Sequence, residues 1–352
     1  MAFIDIVLRR PSYGWQDESG NLVKPSPGQL FKEFFHRLNV IRDKRNWLPF
    51  MSWLKVLIMV PFLALFIFKF FSWGLLLAAF VYSMFIMGTH GTIWHHRYCT
   101  HRAYTFRNRF WQFVTQNLTV SMIPEEIYVV SHHVHHVKSD QPGDPYNAQG
   151  GFLYCFLADV NHQPIAWDLN EAQYGRVRSM MRHTGIRANT YKQYVKWGSY
   201  QNPGRAILYT LANWSFWYGA FFLLGGHALA CTLFGAAGFW AVGVRTFNYE
   251  GHGKGENRQR EGIDYNRRDM SVNQLWPGIV AGEWHNNHHL YPRSARSGFK
   301  PHQVDMAWYY IKLLSMLGAV SSYQDSKEDF YERYERPHRE GKSLPQEELR
   351  EV

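Results

Sequence analysis

Nine histidines of this sequence fall into three tight clusters and one single position. Neutral imidazole is a good ligand for iron, copper, nickel and zinc. The chain has 18 histidines in total, and three clusters at close spacing predict a site that holds more than one metal ion. The clustered residues are His96 and His101 in HRYCTH, His132, His135 and His136 in HHVHH, and His285, His288 and His289 in HNNHH, with His252 alone in NYEGH.

The second and third clusters share a spacing that suits a helix. In each of them the histidines lie at i, i+3 and i+4, so each set projects from one helical face. Two such helices facing each other supply six imidazoles to one pocket. His133 points away from this face and is interpreted as a surface or supporting residue. His96 and His101 are five residues apart, which predicts either a π-type bulge or ligands that straddle a helix end.

The available ligand types narrow the choice of metal. Structural zinc sites favour sets of four that contain cysteine, and Cys99, Cys155 and Cys231 lack such a spacing. The zinc-protease motif HExxH is absent, and the clusters contain no glutamate of the kind that helical-bundle di-iron proteins use. An all-histidine site for two metals remains. Its neutral ligands leave the full cationic charge on the metals, which suits oxidation of an unactivated C–H bond.

Two long apolar regions flank the histidines in the chain. The first covers residues 47–68 and 71–88, broken by Lys55 and Lys69, and the second covers 206–244 without a charged residue. Each region is about 40 residues long, and one span needs roughly 20. Each therefore predicts a hairpin of two transmembrane helices, with turns near 69–73 and 225–227. The alternative is a pair of buried helical hairpins in a large soluble protein.

The positive charge is distributed unevenly around these regions. Lys69 is the only Lys or Arg between residues 56 and 94, and 206–244 has none. Because positive residues stay on the cytoplasmic side, both termini and all the histidine clusters are predicted to be cytoplasmic. This bias accounts for the net charge of +10, and no nucleic-acid signature accompanies it. The N-terminus lacks the apolar core of a secretory signal.

The sequence thus predicts an all-α integral membrane protein with four transmembrane helices in two hairpins and a cytoplasmic helical cap that carries a di-metal site. An amphipathic stretch at 26–45 predicts a helix that lies in the membrane interface or packs on the cap. The predicted segments are a cytoplasmic N-terminal segment (1–46), the first hairpin (47–94), a cytoplasmic region with the first two histidine boxes (95–205), the second hairpin (206–247), a cytoplasmic region with the last box (248–324) and a polar tail (325–352).

With these motifs in order, the chain resembles the membrane-bound fatty acid desaturases, specifically the acyl-CoA Δ9 (stearoyl-CoA-type) branch. The resemblance covers about residues 47–320. HRYCTHRAY matches the family's first box, and HHVHH followed by KSDQPGDPYN matches the second box and its downstream Asp-Pro-x-Asn. HNNHH matches the last box, and Asn248 with His252 matches the family's Asn-x-x-x-His.

The resemblance implies a di-iron enzyme that uses O2 to remove two hydrogens from a fatty acyl chain. On the family pattern, one iron is bound by His96, His101, His132, His136 and His289, and a second iron is bound by His135, His252, His285 and His288. The resemblance further implies that Asn248 holds a water on this second iron.

Two stretches depart from the family pattern. Residues 128–131 read Tyr-Val-Val-Ser where many acyl-CoA enzymes have Trp-x-Arg-Asp, and residues 281–283 read Ala-Gly-Glu where Gly-Glu-Gly is usual. The missing Arg-Asp leaves the acyl carrier open among CoA, acyl carrier protein, a lipid-bound chain and a free fatty acid. Asp269 and Glu283 are either acceptors for the ring N–H groups of ligating histidines or solvated charges.

Three functions are consistent with these motifs. The first is desaturation, and the second uses the same di-iron oxidant for hydroxylation or for oxidative decarboxylation of free fatty acids to terminal alkenes. The third is a membrane metal-binding or transport protein, although transporters place ionisable residues inside their spans. Because the sequence shows no fused redox domain, the electrons must come from a separate donor such as a ferredoxin, a rubredoxin or a b-type cytochrome.

Overall fold

Long apolar helices dominate the structure, a computed structural model that describes residues 2–252 and 284–341. Their outward surfaces expose large apolar side chains such as Phe68 (87 % exposed) and Leu223 (85 %), which lipid covers more favourably than water does. The chain is therefore a membrane protein. Among the described residues, three helices are long and apolar enough to cross a bilayer: Lys44–Phe70, Trp73–Thr100 and Pro203–Gly251.

The first apolar region is divided where the sequence predicts a turn. The α-helix Trp47–Leu65 continues as the π-helical turn Phe66–Phe70, and two residues separate it from the next helix, Trp73–Ile86. Ser72 caps that helix by accepting a hydrogen bond from the N–H of Leu75 at 3.2 Å. The break at residues 71 and 72 lies inside the predicted interval 69–73.

The second apolar region folds back on itself. Within Pro203–Gly243 the backbone leaves the helical conformation at Gly225 and Gly226, the latter at φ 65°, a value that glycine adopts without steric cost. The rings of Trp214 and Phe234 are 6.4 Å apart, whereas twenty residues of straight helix would separate them by about 30 Å. The predicted turn at 225–227 is confirmed, and the region is a helical hairpin.

Small residues let the apolar helices approach closely. A Cβ atom added to Gly238 would lie 2.4 Å from Cβ of Met59, and one added to Gly235 would lie 2.9 Å from Cα of Leu63. The second half of the hairpin therefore packs backbone against side chain on Trp47–Leu65, the kind of contact that small residues provide between membrane helices.

The remaining helices form a cap around the histidines, with Trp94, Val130, Tyr194 and Ile311 in its largest core. The α-helices of the cap are Phe3–Ile6, Pro27–Leu38, Arg109–Gln116, Glu125–Lys138, Phe152–Phe156, Ala158–Asn161, Glu171–Met181, Tyr191–Trp197, Phe247–Gly251, His285–Leu290, Met306–Met316, Lys327–Phe330 and Arg336–Arg339. Short 3₁₀ turns are Lys44–Asn46, Ala148–Gly150, Arg182–Thr184 and Val244–Thr246, and two further π-helical segments are Met87–Thr100 and Tyr331–Glu335.

The prediction of an all-α protein is wrong in one detail, because two short strands pair in the cap. Tyr104–Phe106 and Val320–Tyr323 are antiparallel, with Tyr104 opposite Tyr323 and an irregular register between Thr105 and Phe106. Both strands contain aromatic and β-branched residues, which favour the extended conformation. The pairing joins the chain just after the first histidine box to the chain that follows the last box.

Both ends of the described chain pack on the cap. The amphipathic segment predicted at 26–45 contains the helix Pro27–Leu38, which buries Leu30 and Phe34 in a core of the cap and leaves Phe35 66 % exposed. In the segment predicted as a polar tail, Phe330 is fully buried, with its ring 4.9 Å from that of Phe299.

Candidate metal centre

A π-helix positions the first two histidines. Met87–Thr100 is π-helical, and the N–H of His101 bonds the carbonyl of His96 at 3.1 Å, five residues back. Thr100 adds a side-chain bond to the carbonyl of His95 at 2.9 Å, also five residues back. This winding brings residues five apart together, and the rings of His96 and His101 are 4.9 Å apart. Both predicted alternatives are present, because the winding is π-type and His101 is the residue just past the end of this helix.

The structure brings all nine histidines together at one centre, where their ring nitrogens form two groups. Within each group the potential ligand atoms all lie within 4.8 Å of one another. The first group is His96, His101, His132, His136 and His288, and the second group is His135, His252, His285 and His289. His133, interpreted as a surface or supporting residue, belongs to neither group.

The assignment of His288 and His289 expected from the resemblance is exchanged in the structure. His288 lies with the first group and His289 with the second. On a helix, residue i+4 lies only about 40° around the axis from residue i. Residue i+3 is displaced from residue i in the opposite direction around the axis. The pair His285 and His289 therefore shares one group while His288 reaches the other, and the helix Glu125–Lys138 divides its three ligands in the same way.

The nitrogens of each group face one another at close range. Nε2 of His96 is 2.9 Å from Nε2 of His288, and Nε2 of His252 lies 3.1 Å from His135 and 2.9 Å from His285. Two nitrogens at right angles around a metal, each bonded at about 2.1 Å, would be about 3.0 Å apart. The spacing therefore fits ligands that converge on a cation.

Hydrogen bonds on the far side of three rings fix their orientation. Nδ1 of His135 donates to the Asp144 carboxylate at 3.0 Å, and Nδ1 of His252 donates to Asp140 at 3.1 Å. Neutral imidazole has one N–H, so both Nε2 atoms then present bare lone pairs to each other, an arrangement that a cation relieves. Nδ1 of His132 is 2.6 Å from the hydroxyl of Tyr146.

These partners were missed at the sequence level. Asp140, Asp144 and Tyr146 all lie within ten residues of His136, and an acidic residue close behind a histidine box is the signal that could have identified them. Asp269 and Glu283, which were considered for this role, lie outside the described residues.

Burial favours the neutral form of several of these histidines. It lowers the pKa of His132 and His135, and neighbouring imidazoles lower these values further. The same causes lower the pKa of His289 to about 3. Burial alone would raise the pKa of Asp140, but its hydrogen bond with His252 and the electrostatic effects of His252 and His289 together outweigh burial and lower this pKa. Burial raises the pKa of Asp144 to about 8, and a cation at the histidines would oppose that rise.

Several buried polar atoms at the centre have no hydrogen-bond partner among the residues that the structure describes. Both ring nitrogens of His101 are buried in this way, and so is Oδ1 of Asn248. Unpaired buried polar atoms are costly, so each is free to face a metal or its water. Asn248 and His96 line a cavity of about 80 Å³ whose apolar walls include Met87, Ile127 and Phe247.

A buried ion pair holds the last box against the π-helix. Nη2 of Arg97 is 3.0 Å from Oδ1 of Asp305, and both side chains are 2 % exposed. The backbone N–H of Ser297 donates to Asp305 at 2.7 Å. The hydroxyl of Ser297 accepts a hydrogen bond from the N–H of Trp284 at 3.1 Å. Arg97 thus ties the helix that carries His96 to the residue that precedes His285, a link between distant parts of the chain that the sequence does not reveal.

The fold and the site define a membrane protein in which nine imidazoles converge in two groups that could each hold a metal ion. The family model for fatty acid desaturases matches residues 71–320. The chain belongs to the fatty acid desaturase family, and it is an oxidoreductase that desaturates a fatty acyl chain. Hydroxylation, decarboxylation and metal transport, which the sequence left open, are not favoured.

Several characterised desaturases are similar to this chain. An sn-1 stearoyl-lipid 9-desaturase of Anabaena variabilis is 27% identical over 259 residues, covering 72% of this chain and 85% of the relative. An icosanoyl-CoA 5-desaturase of Limnanthes douglasii is 26% identical over 309 residues, covering 83% and 75%. Delta-9 acyl-lipid desaturase 1 of Arabidopsis thaliana is 26% identical over 267 residues, covering 71% and 75%.

Proposed function

We propose that this protein is an O2-dependent di-iron desaturase that introduces a double bond into a long-chain fatty acyl group. Two irons would be held by the two histidine groups, with Asn248 holding a water on the iron of the second group. Iron supplies the oxidising power that breaks unactivated C–H bonds when O2 and electrons are provided. The observation that carries the proposal is the convergence of nine imidazoles into two groups of suitable spacing.

The protein's own residues perform the positioning. Asp140 and Asp144 orient His252 and His135 and supply negative charge near the second group. The cavity beside His96 and Asn248, whose walls are partly apolar, would hold the acyl carbon to be oxidised. The double-bond position would then depend on the distance from that cavity to the place where the acyl carrier is held.

The proposed topology has four transmembrane helices in two hairpins. It is supported by the break at residues 71 and 72 and by the reversal at Gly225 and Gly226. The uneven distribution of Lys and Arg supports a cytoplasmic location for both termini and the histidines. A separate ferredoxin, rubredoxin or b-type cytochrome would then deliver electrons from that side.

Replacement of single ligands tests the proposal. We expect His135→Ala and His288→Ala to lose bound iron and to form no product, while His133→Ala, on the same helix as His135, keeps both. Iron per chain is measured by elemental analysis of purified protein, and mass spectrometry identifies an internal alkene made from a stearoyl substrate. Full iron content in either of the first two variants would contradict the assignment.

A further inference from the structure

A hydrogen-bonded tyrosine and histidine lie in the cap, outside both histidine groups. The hydroxyl of Tyr13 bonds Nε2 of His162. His162 is fully buried, whereas Tyr13 is half-buried and reaches the surface. A phenol and an imidazole within hydrogen-bond reach can exchange a proton. Neither residue has a part in the function proposed above.

The surroundings fix the resting state of this pair. Burial raises the pKa of Tyr13, so its phenol keeps the proton. Burial and the nearby charge of Arg37 lower the pKa of His162, so its ring is neutral. Arg37 is itself paired with Glu33 at 2.5 Å, which leaves little net charge beside the phenol. A neutral ring carries one N–H, and with that proton on Nδ1 the lone pair of Nε2 accepts from the phenol.

A chain of rings and hydrogen bonds links the pair to the metal centre. The ring of His162 stacks on that of Tyr154, with centroids 4.0 Å apart. Tyr154 donates to the backbone carbonyl of Asp144 at 3.4 Å, and the carboxylate of Asp144 accepts from His135 at 3.0 Å. Tyr146 lies in the same core of the cap as Tyr154, and its ring is 4.5 Å from that of His135. The chain therefore ends at a proposed iron ligand.

This chain is buried and closely packed. Tyr146, Tyr154 and His162 are each at most 2 % exposed. A Cβ atom added to Gly150 would lie 2.6 Å from the ring of Tyr154, so a glycine at this position lets the backbone approach the ring. Electrons pass more readily through packed rings and hydrogen bonds than across empty space. The chain is thus suited to carry an electron between the metal centre and the surface of the cap.

The chemistry of a phenol determines the direction of electron flow. A phenol gives up an electron only to a strong oxidant, and it does so more easily when a base takes its proton in the same step. A centre able to break an unactivated C–H bond is such an oxidant, and an electron carrier that reduces the enzyme is not. Electrons would therefore run from Tyr13 to the metal centre.

Other tyrosines that bond an imidazole lack one of these features. Tyr146 bonds Nδ1 of His132, but a metal on Nε2 leaves that ring no free lone pair for the proton. Tyr218 bonds His227 at 2.8 Å beside the reversal of the second hairpin, away from this chain of rings. Tyr13 combines a free imidazole with a connection to the centre.

We propose that Tyr13 and His162 form a redox site that discharges the oxidised metal centre when no acyl chain is within reach. One electron passes from Tyr13 along Tyr154 and Tyr146 to the centre, which is reduced by one electron. The O–H bond of the phenol breaks and its proton goes to Nε2 of His162, leaving a neutral tyrosyl radical and an imidazolium.

A one-electron donor in solution then restores the pair. Ascorbate or the enzyme's own electron carrier supplies an electron to the radical of Tyr13, which reaches the surface of the cap. The proton returns from His162 to the phenol oxygen. Each cycle thus spends one oxidising equivalent that would otherwise attack the protein. This inference rests on the proposed desaturase function, because that function supplies the oxidant.

The radical is measured by electron paramagnetic resonance in full-length protein purified in detergent and loaded with iron. The protein is reduced with dithionite, freed of excess reductant, mixed with O2 without acyl substrate and frozen. The variant is Tyr13→Phe. Tyr174→Phe is the matched control, because Tyr174 is a buried tyrosine whose hydroxyl donates to the carbonyl of Asn189 at 3.0 Å. Iron per chain is measured in every sample.

We expect a tyrosyl signal in the wild type and in Tyr174→Phe, and loss of that signal in Tyr13→Phe at equal iron content. An excess of whichever stearoyl donor is desaturated, stearoyl-CoA or stearoyl-phosphatidylglycerol, should suppress the signal, because its C–H bonds then consume the oxidant. During incubation with electron donor and O2 but without substrate, Tyr13→Phe should lose activity faster than the wild type. A purely structural role of Tyr13 would not give this dependence on substrate.

A second measurement needs no metal. Metal-free protein is oxidised by one electron with photo-excited ruthenium tris-bipyridine and persulfate. The difference between the tyrosyl signals of the wild type and Tyr13→Phe isolates the contribution of Tyr13. We expect His162→Gln to remove that contribution, because the base is lost, and Tyr174→Phe to leave it unchanged.

The two measurements separate this inference from the desaturase proposal. An O2-dependent signal that is equal in Tyr13→Phe and the wild type would overturn the inference, and so would the absence of a signal in iron-loaded protein that desaturates its substrate. If the protein makes no alkene but light still produces a signal that depends on Tyr13 and His162, the redox pair is supported and the desaturase proposal fails.

Discussion

The two histidine groups are supported by different hydrogen-bond partners. In the second group, carboxylates of Asp144 and Asp140 accept from His135 and His252. In the first group, His132 is held by the neutral hydroxyl of Tyr146 at 2.6 Å. A carboxylate partner makes an imidazole a more basic ligand than a neutral partner does. The comparison therefore predicts two unequal metal positions, with the second bound through the more strongly donating histidines.

The two groups also differ in their surroundings. Two carboxylates near the second group place negative charge beside one metal, while the first group adjoins the apolar cavity through His96. The fold also couples the groups, because the helix Glu125–Lys138 supplies His132 and His136 to one and His135 to the other. Changes in the hydrogen-bond partners should affect the two positions separately, and changes in the helix should affect them together.

Asp144→Asn should have the largest effect among the hydrogen-bond partners. The amide oxygen can still accept from His135, but the negative charge is lost, and such changes typically cost roughly 10- to 100-fold in metal affinity. Titration with a chelator should release about one iron per chain from the variant at concentrations that leave the wild type loaded, and activity should fall with it. Asp168→Asn removes an exposed carboxylate and is the control. Loss of both irons together would contradict the separation of the groups.

Tyr146→Phe should have a smaller effect on the first group. The change removes a neutral hydrogen bond to His132, which contributes less than one to a carboxylate, so we expect a loss of metal affinity below about 10-fold and a several-fold fall in kcat. The same chelator titration measures it. Tyr174→Phe removes a buried hydroxyl that donates to Asn189 at 3.0 Å in the cap, and it corrects for general destabilisation. A loss as large as that of Asp144→Asn would remove the distinction between the partners.

The sequence predicted the centre well wherever its geometry is local. The i, i+3, i+4 spacing of the second and third boxes and the five-residue spacing of His96 and His101 each imply one helical conformation, and the structure has it. The turn at Gly225 and Gly226 was predicted for the same reason, because an uncharged stretch twice the length of a span must reverse near its middle.

Features that depend on distant contacts were not predictable. The spacing shows that His288 and His289 point in different directions. It does not show which histidine group each one joins, because the grouping depends on how two helices separated by more than a hundred residues face each other. The Arg97–Asp305 pair and the two-stranded sheet likewise join residues about two hundred positions apart. Asp140 and Asp144 are local and were missed, since a carboxylate near a histidine is common without contact.

Glu126→Gln should have the smallest effect, and it should not distinguish the two groups. Glu126 lies at the start of the helix that serves both, accepts the N–H of Tyr200 at 2.8 Å, and has its pKa raised by burial to about 8 from 4.5. The folded state therefore holds this proton more tightly than the unfolded state, so the stabilisation is present below pH 4.5 and is lost as the pH rises towards 8.

The melting temperature of the wild type should fall across that range more than the melting temperature of Glu126→Gln does, and Glu171→Gln, at an exposed position, is the control. A pH dependence unchanged by Glu126→Gln would show that the carboxyl is ionised in the folded protein, and unequal iron loss from the two groups would show that the helix does not couple them.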